Sequence, residues 1–283
     1  MKNTRFSSFF IQAGVLIFSF ALLYRHTISA LIRDWSADDN YSHGFLIPFI
    51  TVCMIWQKKE KLSDTVPEPS NRGLLLILPG IALHIAGNIG AELFTMRFSI
   101  IILLWGLLLY LFGKSVFREL FIPVSYLIFM IPIPSILWNK LAFPLQLFAA
   151  TLTAELIYGI GIPVLREGNV LHLASTSLEV VDACSGLRSL TSLLALSAAF
   201  AYISSLKNIS KWILFFSAIP IAVAVNIIRL TVTAMMAHWI GAETAQGFLH
   251  DMSGMVVFIV AFVLLFAVSG LLTGAESYFS KSD

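Results

Sequence analysis

Long apolar runs separated by short polar segments dominate the chain. Runs of near-spanning length fall at about 8–25, 44–57, 73–91, 97–113, 117–134, 187–206, 212–236 and 252–274. A bilayer-crossing helix needs roughly 17–25 mostly apolar residues, so the pattern predicts eight transmembrane helices. The second run is short by itself and gains length only if Tyr41 and Ser42 lie at the interface. The stretch 141–162 is also apolar but carries Pro144, Gln146, Glu155, Gly159 and Gly161. It reads either as a ninth span or as a helix lying on, or dipping into, the outer face.

Positive charge arbitrates, because Lys and Arg in short loops favour the cytoplasm. With eight spans and 141–162 not crossing, eleven of the 18 basic residues fall inside, six outside, and Arg229 within a span. A ninth span would move Lys207 and Lys211 outside. The eight-span arrangement, with both termini cytoplasmic, is therefore preferred. The apolar run that follows Lys2 and Arg5 has no small-residue cleavage site behind it and is read as a retained first span.

Two segments expected on the outer face are not membrane-like. Residues 26–43 hold Asp34, Trp35, Asp38, Asp39, Asn40, Tyr41, Ser42 and His43. In 164–183, two β-prone stretches, about 169–173 and 178–182, flank the turn-rich Ala174–Ser177 and predict a short hairpin. The fold class expected is thus an all-α polytopic membrane protein of about eight transmembrane helices, with a short extracytoplasmic β-hairpin ahead of a cysteine. Residues 1–283 are read as one domain.

Composition agrees. The chain is 58% hydrophobic and 12% charged, against about 45–50% and 25% in soluble domains, so a lipid bilayer is the first expected partner. A net charge of +2 excludes a nucleic-acid-binding surface as an expectation. Two cysteines, Cys53 and Cys184, make no disulfide framework. No histidine shows metal-ligand spacing, and no cofactor is expected. Cys53 reads as an inert thiol near the inner end of its span.

Candidate chemistry centres on Cys184, between the hairpin and the start of a helix. A helix N-terminus favours the thiolate and lowers a cysteine pKa, and Arg188, one turn on, adds positive potential. A thiolate there is a nucleophile; the competing reading is an inert buried cysteine. Ser185 is a weaker nucleophile that requires a close base, and Asp182 is the nearest carboxylate along the chain. Arg229, late in an apolar run, costs about 2.5–3.5 kcal/mol to insert. It is either an oxyanion stabiliser, with Asn226 three residues earlier on the same face, or an arginine snorkelling to headgroups. His250 is either a proton carrier for the thiol or a solvated loop histidine. His43 either binds substrate or helps to cap the second span. In the eight-span arrangement Cys184, Arg229, His250 and His43 share the outer face.

Several motifs, taken together, resemble one family. Tyr41-Ser42-His43-Gly44-Phe45-Leu46-Ile47-Pro48 and Gly161-Ile162-Pro163-Val164-Leu165-Arg166-Glu167-Gly168-Asn169 are similar to signatures of the exosortases. Leu178-Glu179-Val180-Val181-Asp182-Ala183-Cys184-Ser185-Gly186-Leu187-Arg188 resembles the active-site cysteine motif of the exosortase/archaeosortase family. Asn226-Ile227-Ile228-Arg229 resembles its arginine motif, and Phe248-Leu249-His250-Asp251-Met252-Ser253-Gly254 its histidine motif. The resemblance implies a cysteine transpeptidase or protease of the bacterial inner membrane, its site facing the periplasm. Cys184 would be nucleophile, Arg229 transition-state stabiliser and His250 proton-transfer partner. Implied substrates are exported proteins bearing a C-terminal Pro-Glu-Pro motif, a membrane helix and a basic tail (PEP-CTERM proteins), passed to an unknown acceptor in connection with exopolysaccharide production. The alternative is a transporter or assembly factor for exopolysaccharide export. Such a protein would be expected to carry polar sites in broken helices near the midplane.

Overall fold

The computed structural model describes residues 2–174, 176–180, 187–241 and 248–282. Two compact units divide the chain, Met1–Ile133 and Pro134–Asp283. The first holds helices α1 (Lys2–Ala37), α2 (Leu46–Trp56), α3 (Lys59–Ser63), α4 (Leu74–Ile89) and α5 (Leu93–Ser125). Three 3-10 segments, Asp39–Phe45, Asn71–Gly73 and Tyr126–Met130, join or end them. The second holds α6 (Ser135–Gly159), strands β1 (Val164–Glu167), β2 (Val170–Leu173) and β3 (Ser177–Glu179), then α7 (Leu187–Ile203), α8 (Asn208–Trp239) and α9 (Phe248–Ser282).

Each expected span falls on a helix. Among the described residues six helical stretches are long and apolar enough to cross a membrane: Ile11–Ala37, Asn71–Ile89, Leu93–Met130, Ser135–Gly159, Asn208–Trp239 and Gly254–Tyr278. Leu93–Met130 contains two of the expected spans. The helices α2 and α7 are shorter, with 11 and 17 residues. The chain is a multi-pass membrane protein.

Two elements differ from the sequence reading, and a third, 141–162, is helical as both of its readings required. Residues 26–37 are not a separate polar segment but the last turns of α1, whose Tyr24, Thr27, Leu31 and Trp35 form one buried stripe at helical spacing. The stretch 141–162 lies mostly within α6, a continuous 25-residue helix with Pro144 inside it. The predicted hairpin is a three-stranded antiparallel sheet in the order β1-β2-β3. β1 has only two apolar residues and only Val164 is partly buried, so alternation gave no signal for it. A two-residue turn, Gly168-Asn169, links β1 to β2, and Gly168 supplies the positive φ of +63° that a type II′ turn requires at that position.

In a membrane, helices gain little from the hydrophobic effect on pairing, because lipid is as apolar as leucine. Close van der Waals packing decides instead. In the first unit α4 and the 3-10 turn that leads into it meet that demand with glycines seven residues apart. A β-carbon on Gly73 would meet Tyr110, one on Gly80 would meet Leu103, and one on Gly87 would meet Met96, positions again seven apart on α5. The helix α5 then reverses on itself at Gly113, whose φ of +80° is non-helical. Trp105 and Phe121, each eight residues from that glycine, stack with ring centroids 4.8 Å apart.

In the second unit one core joins the inner face of the sheet (Leu171, Leu173 and Val180) to Ala149, Ala150 and Ile157 of α6 and to Ile227, Leu230, Ala234 and Ala237 of α8. A second core packs α7 and α9 on the preceding part of α8, through Leu193, Leu214, Ala218, Ala222, Val225, Val257, Ala261 and Leu265. The sheet therefore sits at the C-terminal end of α8.

Candidate active site

The site candidates fall in both units: His43 in the first, the others in the second. In the first unit the Tyr41–Gly44 motif forms a 3-10 turn that carries the end of α1 into α2. Asp38 opens it, its carboxylate accepting the Asn40 N–H at 2.9 Å. Gly44 is required by packing, since a β-carbon there would overlap the Trp35 indole. That indole donates to the Met130 carbonyl at 2.9 Å, and the Tyr41 hydroxyl donates to the Ile133 carbonyl at 3.4 Å. His43 hydrogen-bonds to the main chain of Phe129 and Asn40; burial outweighs these bonds and holds its pKa below the ordinary histidine value. Burial and the nearby Asp38 charge push Tyr41 up to about 12. The motif is thus a junction between α1 and α2, in which the His43 carbonyl accepts the Leu46 N–H at the start of α2.

Beside it lies an ion pair that sequence reasoning missed. Arg97 Nη2 donates to Asp34 Oδ2 at 2.5 Å, with the arginine side chain 3% exposed. A basic residue near the start of an apolar run was the available signal. Further along α1, Tyr24 Oη lies 2.8 Å from Ser99 Oγ, and its ring meets His84 edge-on. His84 is buried on α4, and Cys53 is an exposed thiol on α2.

In the second unit Asp182, Cys184 and Ser185 lie outside the described residues. Arg188 and His250 are placed only by their helix backbones. Asn226 is 1% exposed on α8, and Arg229, one turn further on, is half-buried. Two contacts fix the helix registers around them. Ser197 Oγ donates to the Phe215 carbonyl at 3.3 Å, which sets α7 antiparallel to α8 and brings Leu187 roughly level with Val225. Glu276 Oε1 accepts the Lys207 N–H at 3.0 Å, and Val257 shares a core with Val225. Counting along α9 from that anchor sets the His250 backbone about level with Thr233, roughly 6 Å along the axis from Arg229. The start of α7, the Arg229 turn of α8 and the start of α9 therefore share one end of the bundle, the end that carries the sheet.

The sheet itself alternates. Its inner side chains enter the core, while Glu167, His172, Ser177 and Glu179 point the other way. His172 bridges the three strands, with Nδ1 2.8 Å from Ser177 Oγ and Nε2 3.4 Å from Glu167 Oε2. Among the described residues no group of three or more His, Cys, Asp and Glu side chains is placed to hold a metal ion.

A family model described as transmembrane exosortase matches residues 35–267. The match takes in the whole of the second unit's site region and the Tyr41–Gly44 junction, and the chain belongs to the transmembrane exosortase family. No curated protein and no solved structure matches the chain.

Proposed function

We propose that the protein is a membrane-embedded cysteine transpeptidase that cleaves the C-terminal sorting signal of PEP-CTERM proteins at the periplasmic face of the bacterial inner membrane. Family membership carries this reading. The shared bundle end described above supports it, because it gathers the backbones that lead to Cys184, carry Arg229 and begin the helix of His250. Cys184 is three residues from Leu187 and four from Val180, so chain length alone keeps its Cα within about 11 and 14 Å of those residues.

In the proposed cycle the Cys184 thiolate attacks the scissile carbonyl, forming the C–S bond. The Arg229 guanidinium holds the tetrahedral oxyanion. Collapse breaks the C–N bond, and protonated His250 gives its proton to the leaving amine. A thioester to Cys184 remains. An acceptor nucleophile, deprotonated by the now neutral His250, attacks it, and the thiolate leaves. Buried Asn226, one turn from Arg229, helps to orient the guanidinium. Arg188, Asp182 and Ser185 support the cysteine segment. A substrate held by its own membrane helix diffuses in two dimensions beside the site, which raises its effective concentration.

The test is co-expression of a PEP-CTERM protein with wild type and with Cys184→Ala, Arg229→Ala and His250→Ala. Processing is expected with wild type alone or, for the last two variants, at greatly reduced yield. Full processing by Cys184→Ala overturns the reading.

A further inference from the structure

The strand that leads into the cysteine segment is an edge strand, and its register says which backbone groups it leaves open. β2 and β3 pair antiparallel as Val170↔Glu179, Leu171↔Leu178 and His172↔Ser177. Just beyond these pairs the Leu173 N–H donates to the Thr176 carbonyl at 2.8 Å, and the Val180 N–H to the Asn169 carbonyl at 2.8 Å. In an antiparallel ladder, hydrogen-bonded and non-bonded pairs alternate. Residues 176, 178 and 180 therefore bond inward to β2. The N–H and C=O groups of Ser177 and Glu179 point outward, and among the described residues they have no backbone partner. Both residues are exposed.

An open edge of this kind is a template for another strand. Leu178 and Val180 anchor β3 to the core shared with α6 and α8, with Val180 0% exposed, so the edge is held rigidly. Cys184 is only five positions beyond Glu179, at most about 18 Å of extended chain. A peptide laid along the edge would reach the cysteine segment within about six residues. β1 offers a second edge through Val164 and Arg166, but it leads back into α6.

We infer that the β3 edge is the docking rail for substrate. The extended segment beside the scissile bond pairs with the outward N–H and C=O groups of Ser177 and Glu179 as a fourth strand. This deepens the proposed function and rests on it. Main-chain pairing reads extended shape more than side-chain identity, which suits an enzyme acting on many exported proteins that share only a short motif.

Proline supplies the test, because on an edge strand it removes an outward N–H and leaves the inner ladder whole. Ser177→Pro and Glu179→Pro each delete one proposed rung. Arg166→Pro makes the same change on the opposite edge. The probe is a synthetic peptide with a Pro-Glu-Pro motif and a membrane helix, added to the purified full chain in nanodiscs. The two β3 variants are expected to raise KM about three- to tenfold each, the worth of one hydrogen bond. Their kcat should stay within about twofold of wild type, and Arg166→Pro should match wild type in both. Independently of folding effects in the variants, Cys184→Ala protein should slow amide exchange at Ser177 and Glu179 when the peptide is added. Unchanged KM in both β3 variants together with unchanged exchange overturns the docking rail while leaving the enzyme reading intact. Protection at both amides before peptide is added, varying with protein concentration, would show a second copy on the edge and also overturn it. Failure of wild type to process the peptide at all counts against the proposed function itself.

Discussion

The Trp35 indole fills the space that a β-carbon on residue 44 would occupy. Through that contact, and the indole N–H bonded to the Met130 carbonyl, the end of α1 is fastened to the turn before α2 and to the segment after α5. Gly44→Ala should force Trp35 away from Met130 at a cost of about 1–3 kcal/mol, typical of overpacking. A lowered melting temperature in detergent and a red-shifted tryptophan emission would report it.

Arg97 is buried and its partner Asp34 is partly exposed. Removing one partner of such a pair leaves an uncompensated charge, whereas replacing both with apolar groups is often neutral. Asp34→Ala is therefore expected to lower stability more than the double variant Asp34→Ala/Arg97→Met. Thermal unfolding of the three proteins under one set of conditions decides this; equal losses in single and double variants would contradict it.

The same junction should be sensitive to pH at both extremes. The pKa of His43 is lowered by burial, so the folded state disfavours its protonation. Its contribution is present above about pH 6.5 and is lost as pH falls through the lower folded value. Tyr41 is raised to about 12, so its contribution is present below about pH 10 and lost as pH climbs toward 12. His43→Gln should flatten the acid side of a plot of melting temperature against pH, and Tyr41→Phe the alkaline side.

Gly80 tests the packing of α4 on α5, and Gly113 the seating of the Glu68 segment against the break in α5. A side chain at residue 80 meets the Leu103 backbone, and one at residue 113 meets the Glu68 carbonyl in a backbone conformation that L-residues rarely adopt. Gly80→Leu should separate the two helices. Gly113→Ala should cost about 1–3 kcal/mol in backbone strain alone. Both effects are expected in the yield of monodisperse protein and in its melting temperature, with Gly113→Ala rescued by no second-site change on the lipid face.

Much of this fold is legible in the sequence because hydropathy over 15–20 residues reports lipid exposure directly. The break between the two halves of α5 falls at Gly113, where the apolar run is interrupted by Gly113-Lys114. What stayed hidden depended on contacts distant in the chain. The last turns of α1 carry Arg25, Arg33 and Asp34 and look like a loop until Asp34 is seen against Arg97. Strand β1 is visible only through its register with β2, since Arg166 and Glu167 give it no apolar alternation. The candidate site is legible as motifs rather than as geometry: Arg229 stands out as a charge in an apolar run, whereas the role of Gly44 depends on Trp35, nine residues away.

The central claim is that Cys184 forms a covalent acyl-enzyme. Its most direct test is intact-mass spectrometry of the full chain in nanodiscs after brief exposure to the Pro-Glu-Pro membrane peptide, with acid quench. The expected result is a peptide adduct mapped to Cys184, removed by hydroxylamine and missing in Cys184→Ala. Cleavage of the peptide by Cys184→Ala, with no adduct on the wild-type chain, would contradict it.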